Sequence, residues 1–351
     1  MPAEREINGH DIVVVGASAG GVEALGEMVA QLPADLAASV FVVLHISASG
    51  TSVLPSILAR RGDLPAAHAV DEEPIEHSRI YVAPPDHHLF LQPGVVRVIR
   101  GPKENGYRPA IDPLFRSAAH SFGPRVIGVI LSGVLDDGTA GLAVIKMRGG
   151  RTLVQDPKEA LYPGMPSSAI EFVGPDKVLP ARKLARAIVE VAAEPAPEEV
   201  PEMAADQMVE EDAFIQIDRG SSDRPQNGVP SGFTCPECGG GLWESDEGGL
   251  PRYRCRTGHG FSIETLFAEQ SGNVEAGMWA AVRALEERAA LTRRMAARFR
   301  ARGRRSTAER FERQANGAVE HGVAIRRALE ELVPELTSEA ELTPEGAAQS
   351  R

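Results

Sequence analysis

Three uninterrupted apolar runs, at residues 12–15, 40–44 and 126–132, most constrain the fold of this chain. A strand with one face in water alternates apolar and polar residues, whereas a run that is apolar throughout is typical of a central parallel strand buried on both faces. Amphipathic stretches separate the three runs, which is the pattern of α/β proteins. We therefore predict an α/β domain with a parallel sheet over residues 11–193.

Shorter signals place the other elements of this domain. Turn residues and periodicity predict extended segments, a β hairpin among them, at 79–83, 88–92, 95–100 and 151–156. Helical spacing predicts helices near 20–31, 51–60, 139–148 and 181–193. With the ten residues that precede this pattern, the predicted domain covers residues 1–193.

The charge distribution limits the partners that this chain can have. The net charge is -12, which argues against a protein whose whole surface coats nucleic acid. Nine carboxylates and no Lys or Arg lie between Ala192 and Asp218, so we expect an acidic, flexible linker over 194–230. The first residues lack the pattern of a signal peptide, and no apolar run reaches the roughly 18 residues of a membrane span. We expect a cytoplasmic protein with no membrane insertion.

The segment GASAG at 16–20 has two chemical interpretations and one structural one. Ser18 stands in the G-x-S-x-G spacing of a nucleophile elbow, in which glycines permit a sharp strand-to-helix turn that exposes the serine. A phosphate-binding loop is the second interpretation. It fits less well, because Ser18 replaces the middle glycine of a dinucleotide motif and the next strand ends in His45 rather than in an acidic residue. A plain glycine-rich turn is the third.

A nucleophilic serine needs a base, and the base needs a carboxylate that orients it. The carboxyl ends of parallel strands meet at one edge of a sheet. There His45 follows the second apolar run, and Asp136 and Asp137 follow the third. We therefore predict a triad of Ser18, His45 and Asp137. A histidine bonded to backbone and an aspartate that caps the next helix are the structural alternatives. The competing bases follow no buried parallel strand; they are His68, His77, His87, His88 and His120.

Five stretches in order resemble the motifs of one family. They are GASAGG at 16–21, VVLHIS at 42–47, GYRPAIDPLFRSAA at 106–119, VILSGVLDDGTAG at 129–141 and VQDPKEALYPGMPSSAI at 154–170. Together they resemble the catalytic domain of the chemotaxis protein-glutamate methylesterases (CheB type), over roughly residues 11–193. The resemblance implies a three-layer α/β domain with a mostly parallel sheet.

The resemblance also implies an activity, which is the hydrolysis of glutamate methyl esters on chemoreceptors by a Ser-His-Asp triad without a cofactor. It assigns the nucleophile to Ser18, the general base and acid to His45, and the orienting carboxylate to Asp137. The expected partners are a methylated chemoreceptor and other chemosensory signalling proteins. Deamidation of glutamine would follow the same path. The alternative is a non-catalytic scaffold that keeps the fold and recruits signalling partners through its C-terminal tail.

Several positions depart from the family's motifs. Ala19 stands where the family usually has Thr, Val134 replaces a Met beside the oxyanion site, and Ile46 and Ser47 replace Met-Pro. These changes concern substrate preference and rate more than the triad. The resemblance begins about a dozen residues after Met1, so we expect no receiver domain and no direct phosphoregulation through one. From its place in a shared motif, we expect Arg108 at the mouth of the site to bind the acidic surroundings of the target glutamate, with a surface salt bridge as the alternative.

A second set of residues predicts a metal site. Cys235 and Cys238 form C-x2-C, and after sixteen residues Cys255 and His259 form C-x3-H. Thiolates and an imidazole on two short turns suit tetrahedral zinc, and four protein ligands leave no open position for catalysis. We predict a structural zinc in a zinc-ribbon-like module over 231–262. Three buried apolar cysteines and a surface histidine are the alternative.

Apolar residues at helical spacing predict a helical hairpin over 263–335, and we expect a disordered tail over 336–351. Eleven arginines and four glutamates lie between Arg283 and Arg313. A solvated helix face is one interpretation of this excess, and a docking surface for an acidic partner or for the chain's own linker is the other. We expect no nucleic-acid partner.

Overall fold

The computed structural model describes residues 9–48, 50, 52–197 and 228–340. They belong to two units, which divide between Leu266 and Phe267. The fold class predicted from the sequence is confirmed: an α/β domain with a parallel sheet, a small antiparallel sheet that carries the Cys3His group, and a helical hairpin.

The first unit contains a seven-stranded sheet in which all neighbouring strands are parallel. Its strands are β1 (Ile12–Ala17), β2 (Ser39–Leu44), β3 (Ala66–His68), β4 (Arg79–Val82), β7 (Val126–Ile130), β8 (Arg151–Gln155) and β9 (Lys177–Leu179). Their order across the sheet is β3-β4-β2-β1-β7-β8-β9. The three apolar runs thus form adjacent strands at the centre of the sheet, and β1 lies between β2 and β7.

Helices cover both faces of this sheet. One face carries α1 (Gly21–Val29), α2 (Leu54–Arg61) and α6 (Ala181–Ala192), and the other carries α3 (Ile111–Phe122), α4 (Thr139–Met147) and α5 (Gly164–Val173). Successive residues of β1 point to opposite faces, so that Val13 packs in the first apolar cluster and Val14 in the second. The three layers expected from the resemblance are therefore present.

Helices α3 and α5 are not among the helices predicted from the sequence. Each carries a proline near its start, Pro113 in α3 and Pro166 in α5. A proline in the first turn of a helix costs little, because the amides there have no partner within the helix. The other predicted helices of this domain are present, with ends that differ by a few residues.

Two antiparallel sheets complete the first unit. The predicted hairpin consists of β5 (His88–Gln92) and β6 (Val95–Ile99). A four-stranded sheet consists of β10 (Val229–Thr234), β11 (Gly241–Glu247), β12 (Leu250–Cys255) and β13 (Gly260–Ser262). We call residues 228–266, which contain this sheet, the Cys3His module.

Two long helices follow, α7 (Ile263–Ala301) and α8 (Arg305–Ala340). The rings of Phe299 and Phe311 stack across the connection between them, with centroids 5.4 Å apart, which is within the usual range of about 4.5 to 7 Å for such pairs. Helix α8 continues to Ala340, beyond the boundary expected at 335. The rest of the expected tail, 341–351, lies outside the described residues.

The ends of the α/β domain lie side by side, because Gly9 forms an isolated antiparallel bridge with Pro195. Most of the predicted linker, at 198–227, lies outside the described residues. Among the helices of the described ranges, none is both long enough and apolar enough to cross a membrane.

Candidate active site and metal centre

The three residues predicted for the triad lie at the carboxyl ends of the three central strands. Ser18 follows β1, His45 follows β2, and Asp137 lies in the loop between β7 and α4. Backbone hydrogen bonds tie these ends together, since the amide of Ser18 donates to the carbonyl of Ser132 and the amide of His45 donates to that of Ala17. The strand order therefore brings together side chains that are far apart in sequence.

The side chains form one hydrogen-bonded chain. The Nδ1 atom of His45 lies 3.1 Å from the Oγ atom of Ser18, and Nε2 lies 2.7 Å from a carboxylate oxygen of Asp137. Since an ionised carboxylate can only accept, Nε2 carries the proton and Nδ1 is left as the acceptor for the hydroxyl proton. This arrangement is suited to the removal of a proton from Ser18.

Asp137 is held by the start of α3. Its carboxylate accepts hydrogen bonds from the backbone amides of Ile111, at 2.7 Å, and Asp112, at 3.3 Å. Burial disfavours the charged carboxylate, but the hydrogen bonds from His45, Ile111 and Asn105 outweigh it and hold the pKa of Asp137 below its usual value. The positive end of the helix dipole favours the same charge. Asp137 thus stays ionised beside His45.

The alternative role for Asp137, as the cap of the following helix, is not what the structure contains. The residue at the N-cap of α4 is Gly138, with a φ of 93°, and no side chain caps that helix. The aspartate instead supports the first turn of α3, a helix that precedes it in sequence. Sequence reasoning missed this contact because it had not predicted α3.

Two further residues that sequence reasoning missed contact the triad. The amide of Asn105 donates to Asp137 at 2.7 Å. The ring of Tyr107 stacks on the imidazole of His45, with centroids 3.7 Å apart and planes within 9°. The signal that was available is the dipeptide Asn105–Gly106, which favours a tight turn at the start of the third family motif.

The turn after β1 leaves backbone donors near the hydroxyl. The amide of Ser18 is engaged with Ser132, whereas the amides of Ala19 and Gly20 have no partner in the described part of the chain. Gly20 has a φ of 70°, and a Cβ there would lie 2.7 Å from the hydroxyl of Ser132. This position therefore requires glycine. Val134, the departure beside this turn, is 39% exposed.

The side chain of Arg108 bonds within the protein. It donates to a carboxylate oxygen of Asp86 and, from Nη1, to the carbonyl of Gly101 at 2.6 Å. Its side chain is 18% exposed. Contact with a substrate stays a prediction for this residue.

Of the competing bases, four bond other groups. His68 and His87 contact backbone carbonyls, His77 pairs with Asp11, and His88 is fully buried between the carbonyl of Pro102 and the amide of Ala110. His120, which lies on α3, also interacts with another group. His45 is the histidine that the structure places at hydrogen-bond distance from Ser18.

The four predicted metal ligands lie together in the Cys3His module. One ligand atom from each of Cys235, Cys238, Cys255 and His259 lies within 4.8 Å of the others. The thiol of Cys255 is 3.5 Å from Nδ1 of His259 and 3.7 Å from the thiol of Cys238. Donors at tetrahedral zinc, about 2.0 to 2.3 Å from the ion, are roughly 3.3 to 3.8 Å apart. The donor set and its spacing therefore fit a metal such as zinc.

Comparisons with known proteins identify the family of the α/β domain. The family model described as CheB methylesterase matches residues 13–188. The chain is 40% identical to a protein-glutamate methylesterase/protein-glutamine glutaminase 2 of Anaeromyxobacter dehalogenans over 181 residues, which are 52% of this chain and 53% of that protein. It is 35% identical to a putative protein-glutamate methylesterase/protein-glutamine glutaminase of Leptospira interrogans, over 51% of this chain and 94% of that protein.

A solved structure is similar as well. The CheB methylesterase catalytic domain of Thermotoga maritima has 35% sequence identity and a TM-score of 0.50, and the match covers 51% of this chain and 97% of that one. The chain spans about half the length of the Anaeromyxobacter protein and nearly all of the Leptospira protein. The matched half contains the predicted triad residues and the turn that carries Asn105, and through it the chain belongs to the CheB methylesterase family.

Proposed function

We propose that this protein is a serine esterase that hydrolyses glutamate methyl esters on methylated chemoreceptors. The observation that carries the proposal is the hydrogen-bonded chain from Ser18 through His45 to Asp137 at the carboxyl edge of the sheet. Family membership supports the same reaction, since the relatives carry the name protein-glutamate methylesterase.

In the proposed mechanism, the hydroxyl of Ser18 attacks the ester carbonyl while Nδ1 of His45 takes its proton. The imidazolium is stabilised by Asp137, which accepts from Nε2. The amides of Ala19 and Gly20 would hold the oxyanion. His45 then gives the proton to the departing methanol, and water attacks the acyl-enzyme by the same route to release the glutamate carboxylate.

Glutamine deamidation is a second activity for the same site. The relatives carry the name protein-glutamine glutaminase as well. The steps are identical apart from the leaving group, which is ammonia in place of methanol. An amine is a poorer leaving group than an alcohol, so proton donation by His45 matters more in this reaction.

We propose that the Cys3His module binds zinc and that the zinc is structural. All four donors come from the protein, which leaves no coordination position for a substrate. The metal would hold together two turns, one between β10 and β11 and one between β12 and β13. No step of ester hydrolysis requires it.

The test is methanol release from a methylated receptor by the wild type and by Ser18→Ala. We expect the wild type to release methanol and Ser18→Ala to release almost none. An exposed serine on α2, Ser56, gives the matched control Ser56→Ala, which should behave as the wild type. Equal, background rates for the wild type and Ser18→Ala would contradict the esterase and favour the scaffold alternative.

A further inference from the structure

One tight turn carries Asn105 and Tyr107, whose side chains contact Asp137 and His45. Glu104 and Tyr107 exchange two backbone hydrogen bonds, and the two residues between them, Asn105 and Gly106, have φ values of 52° and 76°. Two residues with positive φ between such a pair make the tight turn that the Asn-Gly dipeptide favours. The position of this turn therefore sets the position of the Asn105 amide against Asp137 and of the Tyr107 ring against His45.

The side chain of Asn105 lies between the triad and the Cys3His module. Its amide nitrogen donates to Asp137 at 2.7 Å and to Asp112 at 2.9 Å. Its oxygen accepts from Nη1 of Arg252 and the backbone amide of Ser262, both at 3.0 Å, and from the hydroxyl of Thr265 at 3.2 Å. All three of these donors belong to the module. Since carboxylates lie on one side and donors on the other, the amide can take one orientation only.

The backbone of the turn joins the module in the same way. The amide of Asn105 donates to the carbonyl of Gly260 at 2.7 Å, and Glu104 forms a parallel bridge with Gly260, the first residue of β13. The hydroxyl of Ser262 donates to Asp136, the neighbour of the predicted triad aspartate, at 2.7 Å. The module thus contacts both the turn that carries Asn105 and the loop that carries Asp136 and Asp137.

A buried charge cluster fixes the turn further. Glu104 is fully buried and pairs with Arg116 of α3, at 2.8 Å, and with Arg252 and Arg254 of the module. Burial opposes its charge, but the three arginines hold the pKa of Glu104 well below its usual range. A buried carboxylate that loses such partners is strongly destabilising, because its charge is left uncompensated. The turn therefore depends on cations that the module supplies.

We propose that the Cys3His module is a working part of the active site: Asn105 is a positioning residue that holds Asp137, and the module holds Asn105 through Arg252, Ser262 and Thr265. The inference rests on the proposed esterase. The module touches no reacting atom. It acts by fixing the amide that, together with α3, keeps Asp137 aligned with His45. Small losses of alignment in a catalytic group cost up to about 10²-fold in rate.

The experiment compares full-length, metal-loaded variants on both sides of this contact. Asn105→Gly removes the amide and keeps a residue that accepts positive φ. Thr265→Val removes one donor to Asn105 and keeps the shape of the side chain. The control is Glu237→Gln. Glu237 of the same module forms an ion pair with Lys103 at 2.7 Å, and the substitution weakens this pair. The ion pair contacts neither Asn105 nor the triad.

Two readouts separate positioning from folding. On a small neutral ester, we expect kcat to fall about 10² fold in Asn105→Gly and about 10 fold in Thr265→Val, with KM nearly unchanged because the binding surface is intact. We also expect the low-field proton resonance of the His45–Asp137 hydrogen bond to shift or broaden in both variants. Glu237→Gln should keep the kcat and the resonance of the wild type.

The outcomes are distinguishable from failure of the esterase itself. If the wild type hydrolyses ester but Asn105→Gly keeps its kcat, Asn105 does not position Asp137. If Asn105→Gly loses kcat and Thr265→Val does not, the role of the module is overturned while that of Asn105 stands. If the wild type and Ser18→Ala are equally inactive, the esterase has failed. The resonance then decides the inference alone, and an unchanged resonance in both variants would overturn it.

Discussion

The seven-stranded sheet and the four-stranded sheet of the first unit are stabilised by different means. The larger sheet lies between two apolar clusters of more than twenty buried residues each. The smaller sheet has an apolar cluster of six residues, two of which are cysteines of the predicted metal site. Its other buried contacts are polar, such as those of Arg252 with Glu104 and Glu247. We therefore expect the larger sheet to fold from its own core, and the smaller one to depend on the proposed metal and on the surface against which it packs.

Metal removal should have the largest effect on the difference in stability between the two sheets. Zinc contributes about 10 to 16 kcal/mol to the folding of small zinc modules. We expect a strong chelator to unfold residues 228–262 and to leave the seven-stranded sheet folded. Hydrogen exchange measured by mass spectrometry should show fast exchange in β11 and β12 and continued protection in β1, β2 and β7, which serve as the internal control. Freshly purified protein without zinc, or protected β11 and β12 after chelation, would contradict this prediction.

Substitution of the predicted triad tests the larger sheet by function rather than by stability. Ser18→Ala and His45→Ala should each lower kcat by about 10⁴ fold or more on a small ester, with little change in the melting temperature. Because the residues act as a unit, the double variant should be hardly slower than either single variant. Losses that multiply in the double variant would show that the two side chains do not act together.

A fall in pH tests the buried polar contacts of His88, which lies in the α/β domain. Burial lowers the pKa of His88 to about 4, from an ordinary 6.5. Below pH 6.5 the unfolded chain takes up a proton that the folded chain refuses until about pH 4. The free energy of unfolding therefore falls as the pH drops across this window, by about 3 kcal/mol in all.

The measurement is urea unfolding of the full chain between pH 7 and pH 4.5. His88→Gln should flatten the dependence on pH, whereas substitution of the adjacent, half-buried His87 by Gln should not. An equally steep loss of stability in His88→Gln and the wild type would rule out His88 as its source.

Arg108 gives the smallest expected effect. If its guanidinium binds acidic residues around the target glutamate, Arg108→Ala should raise KM for the receptor by about 5 to 10 fold, or about 1 kcal/mol, and leave KM for a small neutral ester unchanged. Arg100 pairs with the same aspartate, Asp86, at 2.8 Å. Arg100→Ala is therefore the matched control for the loss of that ion pair. Equal changes in the two variants would assign Arg108 to the ion pair alone.

The sequence predicted the parts of the fold that depend on local patterns. Uninterrupted apolar runs predicted the central strands, and parallel packing then placed Ser18, His45 and Asp137 at one edge. The ligand spacing around Cys235 and Cys255 predicted the metal group for a similar reason, because each pair of ligands lies within one short turn.

The sequence did not predict contacts between distant segments. The oxygen of Asn105 meets Arg252 and Thr265, which are 147 and 160 residues away. The periodicity of apolar residues in the sequence does not predict such a contact, because the contact depends on how one sheet packs on another. Helix α3 was not predicted either; it carries a proline in its first turn, a position where proline is tolerated.

The bridge between Gly9 and Pro195 has a consequence for how this domain can be joined to others. A domain whose two ends lie side by side can be inserted into a host loop, or circularly permuted, without stretching its own chain. The order of strands across the sheet, which brings the three predicted triad residues together, does not depend on where the chain is opened. A permuted domain that joins Gly9 to Pro195 through a short glycine linker should therefore keep the same edge of the sheet, with new ends at the exposed turn between β5 and β6.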